Sequence, residues 1–214
     1  MAETEPSKLY LVVEAGETAA DRLTAALAVA TPASLLIAPP DGKSLDAQGV
    51  LPLIELAQSR DVAVMLADDP QLVRTTKADG CHLTWSKNIA ARATEAREIL
   101  GHRYMLGVDV GRSRHDAMEL GETGADYIAF GIPPHVEERE AARERRAAMI
   151  EWWSTIFEIP CVAFDVETTE DAADLASRGA DFVAFRLPNG GTADDIRQQV
   201  LEVDHVLRLA ETPA

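Results

Sequence analysis

Cysteine is scarce in this chain: Cys81 and Cys161 are the only two in 214 residues. Two cannot build a disulfide scaffold. Both sit inside apolar runs, so buried free thiols are expected. Long apolar runs are also missing, and no stretch approaches the ~20 residues that a membrane-spanning helix needs. The start of the chain, Met1 to Lys8, is polar and acidic, so no charged-then-apolar leader is expected there. Positive charge is in short supply: 20 Lys and Arg face 36 Asp and Glu, a formal net charge of −16 with a pI near 4.6. A field of that sign repels phosphate backbones and anionic lipid heads, which argues against nucleic acid and membrane surfaces as partners. The expectation is a soluble, cytoplasmic protein with a small-molecule ligand. Association into a homo-oligomer stays open, with Trp85 and Trp152 as candidate contact residues.

What the chain does have is apolar content, 47 %, enough for a sizeable core. Short β-rich runs alternate with longer helical patterns. The runs fall at residues 9–14, 34–38, 62–67, 80–84, 104–110, 127–131, 160–166 and 182–187. Helical patterns fall at 18–30, 46–59, just after Asp68, and at 88–100, 113–122, 137–156, 169–177 and 192–210, with Thr18 and Asn88 as caps. The runs are continuously apolar, as in parallel sheets buried on both faces. Strand–helix alternation means α/β. Eight pairs at this length fit one compact (βα)8 TIM barrel over residues 1–214, with residues 1–7 a flexible start. A doubly wound open sheet reads alike locally, but the number of pairs favours the barrel.

An internal echo supports repeating units. Gly-Ala-Asp-Tyr-Ile-Ala-Phe at 124–130 recurs as Gly-Ala-Asp-Phe-Val-Ala-Phe at 179–185, and Lys-Ala-Asp-Gly-Cys at 77–81 is a looser copy. Glycine ends a helix and the small-acidic pair turns the chain into a strand. That junction lies at the N-terminal face of a barrel, where polar residues serve stability. Asp79, Asp126 and Asp181 are therefore assigned a structural role.

Taken in order, several segments resemble thiamine phosphate synthase and the related thiazole tautomerases. They are Leu-Tyr-Leu-Val-Val-Glu from Leu9, Ala-Asp-Gly-Cys-His-Leu from Ala78, Leu-Gly-Val from Leu106, the segment from Gly124, and Ile-Pro-Cys-Val-Ala-Phe from Ile159. The resemblance covers about residues 8–187. It implies a (βα)8 barrel and an enzyme that joins a pyrimidine diphosphate to a thiazole phosphate, releasing pyrophosphate. It also implies a magnesium ion and basic side chains to carry the diphosphate, at the C-terminal ends of the strands.

The resemblance thins at those strand ends. Asp68 matches a family metal ligand, so by analogy it is the metal-binding residue. The second metal carboxylate is replaced by Lys87. A charged segment after the second strand is replaced by Ile37-Ala38-Pro39-Pro40, and a serine after the fifth is replaced near Asp109. The Thr-x-Thr-Lys clamp expected after Gly131 is Ile132-Pro133-Pro134-His135, and a phosphate-binding Gly-Gly is Asp165-Val166. Each charge-assisted contact to a diphosphate contributes about 1.5–3 kcal/mol. Losing several removes useful binding, so a divergent protein inactive in the standard reaction is expected.

A barrel gathers its strand ends into one mouth, here Glu14, Asp68, Thr84, Lys87, Asp109, His135, Asp165, Glu167, Arg186 and Asn189. Within it Asp68, Asp109 and His135 are the catalytic candidates. Lys87, Asp165, Arg186, Asn189, Gly190 and Gly191 are the ligand-binding candidates. The carboxylates could hold a divalent cation, pair with Arg186 and Lys87, or stay solvated. Asn189-Gly190-Gly191-Thr192 could cradle a phosphate at a helix start, although Asp194 and Asp195 satisfy that helix dipole themselves. His82, beside Cys81 inside a strand, reads as a packed, hydrogen-bonded histidine. Arg143, Arg145 and Arg146 interleave with Glu138, Glu140 and Glu144, which reads as surface ion pairing along a helix. Two function classes remain: a divergent enzyme acting on a small phosphorylated or heterocyclic compound, and a non-catalytic barrel binding a ligand or partner chain.

Overall fold

The computed structural model describes residues 6–111, 113–133 and 136–210. Strands β1 (Lys8–Glu14), β2 (Ser34–Ala38), β3 (Ala63–Ala67), β4 (Gly80–Leu83), β5 (Met105–Asp109), β6 (Tyr127–Phe130), β7 (Cys161–Ala163) and β8 (Phe182–Arg186) alternate with eight helices. These are α1 (Ala19–Leu27), α2 (Ala47–Gln58), α3 (Pro70–Thr76), α4 (Ile89–Leu100), α5 (Arg114–Glu122), α6 (Arg139–Ile156), α7 (Thr169–Ser177) and α8 (Ala193–Leu209). All strands run parallel, and β1 pairs with both β2 and β8, so the sheet closes into the expected barrel. The open-sheet alternative is thereby excluded.

The continuous apolar runs divide by strand parity. Leu9, Leu11 and Val13 pack beneath the helices, while Tyr10 and Val12 fill the barrel with Leu36, Met65, Tyr127, Val162 and Phe164. Gly107 makes that interior possible, because a Cβ there would stand 1.9 Å from Cζ of Tyr127. Cys81 and Cys161 are buried free thiols. Burial pushes both thiols up to about 12, so they pack as small apolar groups.

The repeated Asp is a clasp at the bottom of the barrel. Asp79 Oδ2 accepts the Val64 N–H of β3 at 2.7 Å. Asp126 Oδ2 accepts the Leu106 N–H of β5 at 2.7 Å, and Asp181 Oδ2 accepts the Cys161 N–H of β7 at 2.8 Å. Each carboxylate thus satisfies the donor at the entrance of the neighbouring odd-numbered strand, just before its own even-numbered strand begins.

Some boundaries differ from expectation. The run at 160–166 forms strand only to Ala163, because Asp165 turns the backbone left-handed at φ 56°. Thr18 and Asn88 hold cap positions without a cap hydrogen bond, and Asn88 Oδ1 accepts from Ser86 Oγ instead. Ser7, placed in the expected flexible start, is buried and donates to the Ala180 carbonyl. Residues 1–5 lie outside the described residues.

Candidate active site

The C-terminal ends of the strands enclose a cavity of about 580 Å³. Among the described residues its lining includes Glu14, Asp41, Asp68, Asp109 and Asp165 as carboxylates, Arg186 as the only Lys or Arg, and His82, Trp85 and Phe164 as rings. Of the residues expected from sequence, Asp68, Asp109, Asp165 and Arg186 therefore meet in one chamber. Lys87 does not: it is exposed and outside the lining. Asn189, Gly190 and Gly191 also lie outside it. His135 falls outside the described residues.

Two of the carboxylates sit at left-handed turns where β3 and β7 end. Asp68 has φ 60° and Asp165 has φ 56°, a conformation that Asp tolerates better than most residues. The Asp68 turn aims its carboxylate sideways along the rim. Asp68 accepts the Thr84 N–H at 2.9 Å, the Thr84 hydroxyl at 2.6 Å and Arg92 Nη2 at 2.6 Å. Arg92, on α4, carried no sequence signal, because it lies 24 residues away in the chain.

Asp165 accepts the Ile132 N–H at 2.7 Å, and Asp109 accepts the Gly111 N–H at 2.8 Å. Their other neighbour is Gly131. A Cβ on that residue would stand 2.9 Å from Asp165 Oδ2 and 3.2 Å from Asp109 Oδ2. Glycine there is what lets two carboxylates converge. Burial above all pushes the Asp109 carboxyl up to about 7, with the Asp165 charge adding to it and backbone N–H donors opposing. At neutral pH Asp109 is thus poised to hold or release a proton.

The loop after β8 is committed to the fold. Asn189 Oδ1 accepts Arg22 Nη1 at 2.7 Å, and Arg22 Nη2 donates to the Glu14 carbonyl at 2.7 Å. At the start of α8, Thr192 and Asp195 cap each other reciprocally. The arginines of α6 correct the expectation of pairing along the helix surface. Arg139 and Arg143 both bond Glu167, while buried Arg146 forks onto Asp171 at 2.6 and 2.8 Å. These cations are drawn to the β7–α7 loop. Trp85 lines the cavity, and Trp152 packs on Trp153 and Phe157 with the Arg114 guanidinium 4.7 Å over its ring, so neither is a bare surface aromatic.

The model of the thiamine monophosphate synthase family matches residues 9–187. The chain belongs to that family. The thiamine-phosphate synthase of Erythrobacter litoralis is 41% identical over 135 residues, covering 62% of this chain and 62% of the relative. That of Rhodospirillum centenum is 40% identical over 129 residues, covering 60% and 61%. The match thus spans about three-fifths of these curated relatives. The solved thiamine phosphate pyrophosphorylase of Pyrococcus furiosus superposes with a TM-score of 0.73 at 19% identity, covering 95% of this chain and 96% of that one, and it supports the fold.

Magnesium, implied by the thiamine monophosphate synthase family, does not fit the Asp68 position. The Asp68 carboxylate accepts from Thr84 and is paired with the Arg92 cation. Among the described residues no group of three or more His, Cys, Asp or Glu could hold a metal ion.

Proposed function

We propose that this member of the thiamine monophosphate synthase family binds a small heterocycle of the thiamine-precursor type in the barrel mouth and moves a proton on it. In this reading it does not couple a pyrimidine diphosphate to a thiazole phosphate. One observation carries the proposal: among the described residues five carboxylates line the cavity against the single guanidinium of Arg186. A diphosphate needs several cations, each contributing about 1.5–3 kcal/mol. Here Arg92, Arg139, Arg143 and Arg146 are already bonded to acidic side chains. A neutral or protonated ring meets no such barrier.

The proton chemistry rests on Asp109. A carboxyl near 7 beside a second carboxylate is suited to general acid–base work at neutral pH. Asp165 supplies the neighbouring charge, and Trp85 and Phe164 supply apolar walls for a planar ligand. The relatives named thiamine-phosphate synthase support pyrimidine or thiazole rings as the ligand class.

The test has two arms. With pyrimidine diphosphate, thiazole phosphate and magnesium, thiamine phosphate formation is expected to stay at the uncatalysed level. Turnover of ~1 s⁻¹ or more, ordinary for an enzyme, would refute the reading. In deuterium oxide, exchange of ring-adjacent C–H positions of thiazole and aminopyrimidine compounds is expected from the wild type and lost in Asp109→Asn. Binding without exchange would leave a non-catalytic barrel.

A further inference from the structure

His82 sits at the cavity lining yet is only 2 % exposed. Its ring is nearly parallel to those of Phe164 and Tyr127, at interplanar angles of 19° and 12° and centroid distances of 4.8 and 5.9 Å. Such neighbours fix the ring plane. Nδ1 lies 3.0 Å from the Tyr127 hydroxyl, which lies 3.0 Å from the Tyr10 hydroxyl. Nε2 has no hydrogen-bond partner among the described residues, and His82 belongs to the cavity lining. A buried imidazole thus turns one nitrogen into the barrel and leaves the other for the cavity.

The three groups have few ways to share their protons. Each tyrosine brings one O–H, and a neutral imidazole brings one N–H. If Nδ1 carried the proton, it would donate to Tyr127. One tyrosine O–H would then be left buried with no acceptor, which costs about 1–3 kcal/mol. With the proton on Nε2, Tyr10 donates to Tyr127 and Tyr127 donates to Nδ1. Every buried O–H is then used.

We infer that His82 is a specificity-determining donor: the Tyr10–Tyr127 relay holds its Nε2–H toward the mouth, where it selects a ring nitrogen or carbonyl oxygen of a neutral planar ligand. The inference rests on the mouth being a heterocycle site. Burial also pushes the imidazole down to about 4, so it stays neutral at the pH of any ordinary assay. A neutral donor reads an acceptor without demanding an anion.

Nitrogen-15 NMR of the wild-type protein at pH 7 tests this directly, with His82→Gln used to assign the resonances. Nε2 is expected at the protonated position and Nδ1 at the bare-nitrogen position. Thiazole and pyrimidine are then titrated in, with benzene as a probe of similar shape that has no acceptor. The Nε2–H signal should move with the two heterocycles and hold still with benzene, while the Trp85 indole signal reports that the mouth is occupied. In Tyr127→Phe the single tautomer should give way to a mixture and heterocycle affinity should fall about two- to tenfold, as the donor-bearing fraction falls. A protonated Nδ1 in the wild type overturns the inference. So does a Trp85 shift without an Nε2–H shift, which leaves the heterocycle reading intact. Silence at both signals removes that reading and the inference together.

Discussion

Asp109 ties the stability of the barrel to pH. Its carboxyl is raised, not lowered, from 3.8 to about 7, so the folded protein binds a proton there that the unfolded chain has released. Stability therefore falls as pH rises from about 4 to 7 and is flat above. His82 acts oppositely: its lowered value means stability rises with pH between about 4 and 6.5. The two slopes partly cancel in the wild type, and a variant separates them. Asp109→Asn keeps an acceptor for the Gly111 N–H and carries no charge. Three pKa units amount to about 4 kcal/mol, and the partly exposed edge of Asp109 reduces this to about 2–3 kcal/mol. Urea unfolding should find Asp109→Asn more stable by that amount at pH 8 and nearly equal to wild type at pH 4. An unchanged difference at both pH values would mean Asp109 does not titrate as described. Under the proposed function that gain is expected to come with loss of proton transfer, a stability–activity trade. Asp68, Asp109 and Asp165 were legible in the sequence as acidic residues at strand ends. That Asp68 is tied down by Arg92 while Asp109 is free to titrate was not, because partners distant in sequence leave no local pattern.

At the scale of elements, α6 is fastened to the end of β7 by Arg146. Its guanidinium bonds the Phe164 and Asp165 carbonyls at 2.6 and 2.8 Å as well as Asp171. The side chain is almost wholly buried. Arg146→Ala should cost about 3–5 kcal/mol in urea or thermal unfolding, since it strands Asp171 and two carbonyls. Arg146→Lys should recover only part, because a single ammonium cannot fork onto a carboxylate and reach both carbonyls. A loss under about 1 kcal/mol in Arg146→Ala would show the network to be dispensable. The alternation of apolar runs and helical patterns placed all eight strand–helix pairs, because periodicity is a local property. The repeated Gly-Ala-Asp likewise marked its junctions. Helix spacing alone puts glutamates beside the arginines of α6, whereas the folded loop offers Arg143 and Arg146 better-placed acceptors.

For the whole molecule, the family match ends at residue 187, yet the barrel needs α8. Ile196, Val200, Val203 and Leu207 are buried in the outer core. At about 1.5–3 kcal/mol each they contribute about 6–12 kcal/mol, comparable with the net stability of a typical domain. A chain ended after Pro188 should lose its cooperative melt by circular dichroism and aggregate on size exclusion. A sharp melt within a few degrees of the full chain would show that α8 is peripheral. None of the helices in the described residues is long and apolar enough to cross a membrane.

The sequence by itself determined the class of architecture, the order of elements, the acidic field and the family, because each is written in composition, periodicity or short motifs. Only the tertiary structure decided which acids share the mouth, which cations are already bonded to other carboxylates, and that a strand histidine bonded to Tyr127 lines the cavity. Those outcomes depend on groups brought together by barrel closure, such as Tyr10 and Tyr127 at 117 residues' separation, and no local pattern encodes their distance.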